Sequence, residues 1–465
     1  MKSIDARHIY FIGIGGIGMS ALARYFHSKG KKVSGYDKTP TTLTAELESE
    51  GIPVHFGDEV AMIDKEVLAD PAATLIVVTP AVPPGHTELQ YFRKHNYAIR
   101  KRSEVLGMIT AGSKTIAVAG THGKTTTSTM IAHILRHSGL DCTAFLGGVS
   151  RNYNTNLLIP ADPENNLVVV EADEYDRSFL TLHPDIAVIT SMDADHLDIY
   201  GSAEYMNESY NLFASQVKPG GTLIYREGLP LNPTASSSAS YSVKDVRANY
   251  SAKNICIEDH RFHFDWTDGV EVIEDLSSGM PGRHNVENAI AAIAASRLAG
   301  VPAGKIAAAF RAFAGVKRRF DYRLKSDRLV YIDDYAHHPE ELKACIMAAR
   351  ELYPGWRITG IFQPHLYTRT RDFADGFAAS LSLLDALILL DIYPARELPI
   401  EGVTSEMILG KVTIPSKRLC TREQAVMAMR NISEGVVLTL GAGDIDQLVD
   451  PVQRQLKENL NQLHS

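Results

Sequence analysis

The chain is poor in the features that define several protein classes. It carries four cysteines in 465 residues, at positions 142, 256, 345 and 420, with no close pairing. That argues against a disulfide frame or a cysteine zinc site and fits buried thiols in a reducing compartment. No apolar run approaches the roughly 18 residues of a membrane-spanning helix, and the N-terminus has no signal-peptide layout. No membrane insertion is therefore expected, and the cytoplasm is the expected location. Basic charge is also short: 47 Lys and Arg against 55 Asp and Glu give a net charge of −8. Such a balance leaves no electrostatic footprint for nucleic acid or an anionic membrane. What remains is a globular composition, 45% apolar and 22% charged, long enough for about three domains.

The most informative stretch runs from Ile116 to Ser128 (IAVAGTHGKTTTS). A short apolar run ends in a glycine loop, then Lys124 and Thr125. A helical stripe of Met130, Ile131, Ile134 and Leu135 follows, with Gly139 as its stop. Backbone N–H groups of a Gly-rich loop at a helix start form an anion site. There Lys124 would reach terminal phosphates and Thr125 would ligate Mg²⁺. The full phosphate-loop pattern wants glycine five positions before Gly123, where this chain has Val118. The loop is thus a shortened form, and a plain strand–turn–helix corner is the bland alternative.

Residues 8–12 read as a buried strand, followed at once by Gly13, Gly15, Gly16 and Gly18 and a helical stripe through Met19, Leu22 and Phe26. A second strand from Lys32 ends in Asp37. Strand, glycines and acid together are the layout of a dinucleotide-binding βαβ unit, with phosphate at the helix start and Asp37 near a ribose. In the central region Leu167–Glu171 and Ile186–Thr190 are further strands with acids after them, the second leading to Asp195, His196 and Asp198. In a parallel sheet these strand ends line one crevice beside Lys124, where carboxylates suit Mg²⁺ bridging phosphates. Residues 228–240, rich in Pro, Asn and Ser, read as a surface loop. Alternation over 253–275 predicts a small antiparallel appendage. Gly282 opens an Ala-rich helix to about Ala299, and 304–314 is another helix. In the last third, strands at 329–333, 357–362, 386–390 and 436–440 alternate with helices, and His and Arg cluster after them. Arg forks in such places suit carboxylate or phosphate capture.

Six motifs taken together resemble the Mur ligases: Gly120–Thr127 (GTHGKTTT), Glu171–Asp176 (EADEYD), Asp195-His196-x-Asp198, Gly282–Asn288 (GRHNVEN), Arg319–Asp321 (RFD) and Asp334–Pro339 (DYAHHP). The runs Phe362–Asp372 (FQPHLYTRTRD) and Tyr393–Glu397 (YPARE) look like the member that takes UDP-N-acetylmuramate and free L-alanine. The resemblance spans Gly13 to Gly443. It implies an α/β fold of three domains: a Rossmann-like UDP-substrate domain at 1–107, a central ATP-binding parallel sheet with the appendage at 108–314, and a Rossmann-like amino-acid domain at 315–465 that closes over ATP. Gly13, Gly15, Gly16 and Gly18, with Asp37, would take the UDP end. Gly120, Thr121, His122, Gly123, Lys124, Thr125 and Thr126 would cradle ATP. Thr125 and Glu171 would hold one Mg²⁺, and His196 a second shared with the muramyl carboxylate. Asn288 would read adenine, Arg319 contact the γ-phosphate and Asp334 the ribose. Tyr335, His337, His365 and Arg369 would surround alanine, so that Lys124, His196, Arg319 and His337 carry the catalysis.

Two departures refine the likeness. Several family members have a carbamylated lysine after the Asp-His signature, but residues 196–217 contain no lysine. Some relatives have Arg after the His of Gln-Pro-His, where this chain has Leu366, which shifts carboxylate recognition toward Arg369. The implied reaction has two steps: an acyl phosphate forms with release of ADP, then the alanine amine displaces phosphate. His337 and His365 are both candidates for accepting the amine proton. A monomer or homodimer is expected. Three other readings compete: a sister ligase adding a preformed peptide, a nicotinamide-dependent dehydrogenase that would leave Lys124 and Glu171 without a role, and a nucleotide-dependent scaffold.

Overall fold

A computed structural model describes residues 4, 6–79, 81–162, 164–195, 200–233, 235, 237–277, 279–395 and 397–462. His196, Asp198 and Arg396 lie outside these residues. Contacts divide the chain into two compact units. One comprises Met1–Ser251, Trp266–Ile273 and Asn288–Ala309; the other comprises Ala252–Asp265, Glu274–Glu287 and Phe310–Ser465.

The first unit holds two sheets. In the N-terminal one, strand His8–Ile12 lies at the centre and is buried along its whole length. It pairs in parallel with Lys32–Tyr36 on one side and Thr74–Val78 on the other, and Val54–His55 and Ala98–Lys101 form the edges. Such a run has no polar face because helices cover both sides. Helix Ile17–Ser28 follows the first strand through Gly13, whose φ of +89° suits a residue without a Cβ.

The larger sheet is centred on Lys114–Ala119, with Leu167–Glu171 and Ile186–Ile189 as its parallel neighbours. Thr143–Ser150 lies beyond the former and Thr222–Arg226 beyond the latter. The strand ends at Ala119, Glu171 and Ile189 are therefore adjacent, as the crevice rule predicts. Helix Lys124–Ser138 starts after Gly123 and stops at Gly139, both with positive φ. Helix Ile17–Ser28 docks on this sheet: Asn156 accepts from Arg24 Nη1 at 2.8 Å and donates to the carbonyl of Ile17. One apolar cluster runs from Ile9 and Phe11 through Leu22 and Phe26 to Phe145, Leu157 and Val170.

The serine-rich stretch differs from the expected loop. Its end, Ser237–Ser242, is a strand paired in parallel with Thr222–Arg226. Serine has little strand preference of its own; here the neighbouring strand decides. The expected appendage is present as strands Tyr250–Glu258, Arg261–Thr267 and Val272–Ser277. The first two are joined by Asp259 and His260, both at positive φ, a two-residue hairpin turn. Tyr250 pairs in parallel with Tyr241, so the appendage begins as a continuation of the sheet.

The second unit carries a six-stranded sheet. Val436–Leu440, within strand Gly435–Leu440, lies between Leu329–Asp334 and Ile358–Phe362 and is parallel to both. Ala386–Leu389 and Lys417–Leu419 continue the parallel order. Asp321–Lys325 adds an antiparallel edge that the sequence pattern did not distinguish. The C-terminal ends at Asp334, Phe362 and Leu440 share one edge.

Candidate active site

In the first unit the glycine loop turns where only glycine fits. A Cβ on Gly120 would lie 2.1 Å from Thr190 Oγ1, and one on Gly123 would lie 2.5 Å from Asn288 Oδ1. The strand end at Ile189 holds the loop: Ser191 Oγ accepts from the His122 N–H at 2.7 Å, and Thr121 Oγ1 donates to the Asp193 carbonyl at 2.7 Å. His122 Nε2 lies 3.8 Å from Asp193 Oδ2. Thr125 and Thr126 are buried in the first helical turn.

Lys124 folds back over the loop. Its ammonium donates to the carbonyls of Gly120 at 2.6 Å and Thr121 at 3.2 Å, and lies 2.7 Å from Glu174 Oε2. Burial opposes its charge, but Glu174, Glu171 and Asp173 outweigh it and hold the lysine above its ordinary pKa. Glu174 is itself buried, and desolvation pushes it up to about 7 even against Lys124. Tyr200 donates to the Glu174 carbonyl at 2.6 Å.

Glu171 takes the backbone N–H of Gly147 at 3.0 Å, and a Cβ on Gly147 would fall 2.1 Å from Glu171 Oε2. A cavity of about 270 Å³ opens there, lined by Gly16, Gly18, Arg102, Gly147, Glu171 and Asp173 among others. The structure thus brings Gly16 and Gly18 of the N-terminal loop and Glu171 to one space. Asp37 Oδ2 accepts from Gly15 N–H at 2.7 Å and ties the glycine loop to the end of strand Lys32–Tyr36. Asn288 lies against Gly123 of the phosphate loop.

In the second unit, Arg319, Tyr335, His337, His365 and Arg369 converge. The Arg319 guanidinium lies 5.1 Å from the centre of the Tyr335 ring and 3.8 Å from Glu341. The rings of Tyr335 and His337 are 5.3 Å apart, and those of His337 and His365 are 6.0 Å apart. His365 stacks on Tyr393 at 5.7 Å. The buried Arg369 directs Nη1 toward His365 Nδ1 at 3.4 Å. His337 Nδ1 lies 3.0 Å from the Tyr335 carbonyl and 3.2 Å from Glu341 Oε2, both acceptors. Nδ1 is therefore the donor of that ring, and Nε2 is the acceptor in the neutral form. At His365 the order reverses, because a guanidinium can only donate to Nδ1.

Asp334 is committed to the backbone, accepting from Phe320 N–H at 2.6 Å and Ala336 N–H at 2.8 Å. Burial raises it to about 6 despite Arg319. His284 is lowered to about 4 by burial, with Glu341 opposing. The residues that sequence reasoning left without a role are Glu174, Arg102, Glu341 and His284. Glu174 lies inside the acidic run that was noted, but Arg102 opens an unremarkable helix and carries no sequence signal.

Three family descriptions match successive parts of the chain: "Mur ligase family, catalytic domain" at residues 8–114, "Mur ligase middle domain" at 118–296 and "Mur ligase, glutamate ligase domain" at 318–443. The chain belongs to the Mur ligase family. Among its relatives is the UDP-N-acetylmuramate–L-alanine ligase of Flavobacterium johnsoniae, 51% identical over 99% of this chain and 100% of the relative. The enzyme of the same description from Parabacteroides distasonis is 53% identical over 96% of this chain and 97% of the relative. The crystal structure of the UDP-N-acetylmuramate–alanine ligase of Thermotoga maritima superposes with a TM-score of 0.81 at 27% identity, covering 97% of this chain and 99% of that one.

Proposed function

We infer that this protein is an ATP-dependent ligase that joins L-alanine to the carboxylate of UDP-N-acetylmuramate, a step of peptidoglycan precursor synthesis. The observation that carries this reading is the match, at about half identity and nearly full length, to relatives described by that activity. The peptide-adding and dehydrogenase readings are not favoured by it. The substrate and ATP are water-soluble nucleotides, and we place the reaction in the cytoplasm; among the described residues no helix is long and apolar enough to cross a membrane.

We further propose that 1–107, 108–314 and 315–465 act as UDP-substrate, ATP and alanine domains. The muramyl carboxylate attacks the γ-phosphate of ATP, breaking the bond to ADP and giving an acyl phosphate. The alanine amine then attacks the acyl carbon and expels phosphate. The first step sets an anion against a polyanion, so charge placement dominates. Lys124 supplies fixed positive charge at the loop, supported by its ladder of carbonyls and Glu174. Gly120 to Thr126 supply backbone donors, Asn288, set against Gly123 of the loop, reads the adenine, and Arg319 adds charge for the transferred phosphate.

The residues present fit Mg²⁺. Thr125 and Glu171 offer oxygen ligands, with Glu171 oriented by Gly147 N–H. No cluster of three His, Cys, Asp or Glu side chains suited to a metal occurs among the described residues. Two protein ligands suit an ion that keeps several waters and binds phosphate oxygens. Bound there, Mg²⁺ would offset phosphate charge; a second ion is proposed at His196. Arg369 takes the alanine carboxylate. His337 accepts the amine proton, since its Nε2 is the acceptor nitrogen whereas the acceptor of His365 faces Arg369.

Phosphate release with ATP, UDP-N-acetylmuramate and each amino acid in turn tests the reading. Release stimulated by L-alanine is expected. Stimulation only by a muropeptide-type tripeptide, or by no amine at all, overturns it.

A further inference from the structure

Glu341 stands between two proposed participants in the reaction, His337 and Arg319. It is the third residue of helix Pro339–Leu352, and its side chain is 14% exposed. Its two oxygens divide the work. Oε2 accepts from the backbone N–H of His337 at 3.0 Å and lies 3.2 Å from Nδ1 of the same residue. Oε1 lies 3.8 Å from Nη1 of Arg319, whose guanidinium also rests on the Tyr335 ring. One carboxylate thus joins the turn before the helix to the segment before the edge strand Asp321–Lys325.

A glutamate at the third helical position commonly does no more than cap the helix start. Here the cap is His338, whose Nδ1 accepts from Glu340 N–H at 3.4 Å, and Glu341 turns to the residue before the cap. The Tyr335 carbonyl also faces His337 Nδ1, at 3.0 Å, and is enough to set the tautomer. What Glu341 adds is charge. A carboxylate beside Nδ1 stabilises the imidazolium that forms when Nε2 takes a proton. The other groups around this ring do not supply it. Arg319, Arg369 and neutral His365 and Tyr335 bring no negative charge. Asp334 is bonded to Phe320 and Ala336 N–H. His284, coupled to Glu341 and Arg319, is held neutral by burial, and the buried Cys345 thiol is raised well above its ordinary value.

We propose that Glu341 is a positioning residue shared by both half-reactions: it supports the imidazolium of His337 in the alanine step and holds Arg319 toward the transferred phosphate in the first. This rests on the reading of the site as that of an alanine ligase. The proton passes from the alanine ammonium to His337 Nε2, and Glu341 stays ionised throughout.

Glu341→Gln keeps the length and an oxygen for the His337 N–H but loses the charge. Glu341→Asp keeps the charge, withdrawn by one methylene, and serves if the Gln variant does not fold. Full-length wild type and both variants are compared by melting curve, by acyl phosphate trapped as hydroxamate with ATP and UDP-N-acetylmuramate but no alanine, and by the pH profile of phosphate release at saturating alanine. Glu341→Gln is expected to melt like the wild type and to form hydroxamate more slowly. Its kcat should fall on the order of ten- to a hundred-fold, part of what a general base contributes, with the KM for alanine near that of the wild type. Loss of the carboxylate makes His337 easier to deprotonate, so the acidic limb of kcat should move to lower pH by about 1. Glu341→Asp should recover part of the rate and keep the limb near its wild-type place. An unmoved acidic limb in Glu341→Gln overturns the proposal, and so does hydroxamate formation at the wild-type rate. Equal kinetic losses in both variants with a lowered melting temperature would make Glu341 a fold residue only and also overturn it. A wild-type protein whose phosphate release is not stimulated by L-alanine would instead sink the reading of the site.

Discussion

Lys124 and Glu174 form a buried ion pair across fifty residues of sequence, 2.7 Å apart, with the lysine also bonded to two carbonyls of its own loop. Breaking such a pair strands the remaining charge and typically removes roughly 3–5 kcal/mol. Glu174→Ala is therefore expected to lower the melting temperature of the nucleotide-free protein by several degrees. MgATP should recover part of the loss, because its phosphates replace the missing counter-charge. Thermal melts with and without MgATP decide the point: a smaller nucleotide-induced shift in the variant than in the wild type would show that Glu174 belongs to the nucleotide site instead.

Gly147→Ala should act through Glu171. The added Cβ would sit 2.1 Å from a carboxylate oxygen, so the side chain must swing away. Displacing a carboxylate from its orienting donor commonly weakens metal affinity about 10- to 100-fold. The Mg²⁺ concentration for half-maximal phosphate release should rise by that factor while the circular dichroism spectrum stays native. An unchanged Mg²⁺ dependence would remove Glu171 from the metal site.

Arg369→Lys should raise the KM for alanine about ten- to a hundred-fold, the worth of one charge-assisted hydrogen bond, with far less effect on the KM for ATP. Lysine keeps the charge but lacks the planar fork. Steady-state kinetics with each substrate varied separately measure this. An unaltered constant for alanine would move carboxylate recognition elsewhere; Arg371 is a poor successor, since it is exposed and paired with Asp372.

A cluster away from the proposed chemistry sets a pH dependence. Burial lifts Glu88 to about 7, with Asp58 adding to the shift and the hydrogen bond from Tyr10 opposing it. A carboxyl raised in the folded state contributes stability below its unfolded pKa, and that contribution is lost as pH rises through the folded value. Glu174 and Asp334 act in the same sense, between their ordinary values and about 7 and 6. His133, depressed to about 4 by burial, acts oppositely: its contribution is full above its ordinary value and is lost as pH falls through 4. Glu88→Gln should therefore be less destabilising near pH 8 than near pH 5. Urea midpoints at the two pH values check it, and equal losses would mean that Glu88 is ionised throughout.

The phosphate loop was legible because its glycines, lysine and threonine are contiguous and fold locally. His337, His365 and Arg369 were legible for a related reason: each follows a recognisable strand, and parallel strands present their ends on one edge. The partnership of Lys124 with Glu174 was not, since it depends on how two strand ends approach. Asp37 was legible as the acid after the second strand, but its bond to Gly15 depends on how the loop folds back, which spacing does not carry. Ser237–Ser242 has the composition of a loop and becomes a strand through the neighbour it meets.

The two compact units are each made of three separated stretches, so the chain passes from one to the other five times. During synthesis from the N-terminus, the first unit lacks its last stretch until Ala309 has been added, about two thirds of the way along the chain. By then the second unit has begun, from Ala252. Domains commonly fold in order as they emerge, but here both units are unfinished while residues 252–309 are being made. A chain cut short in that interval would hold a first unit without the full stretch that carries Asn288, the residue set against Gly123 of the phosphate loop.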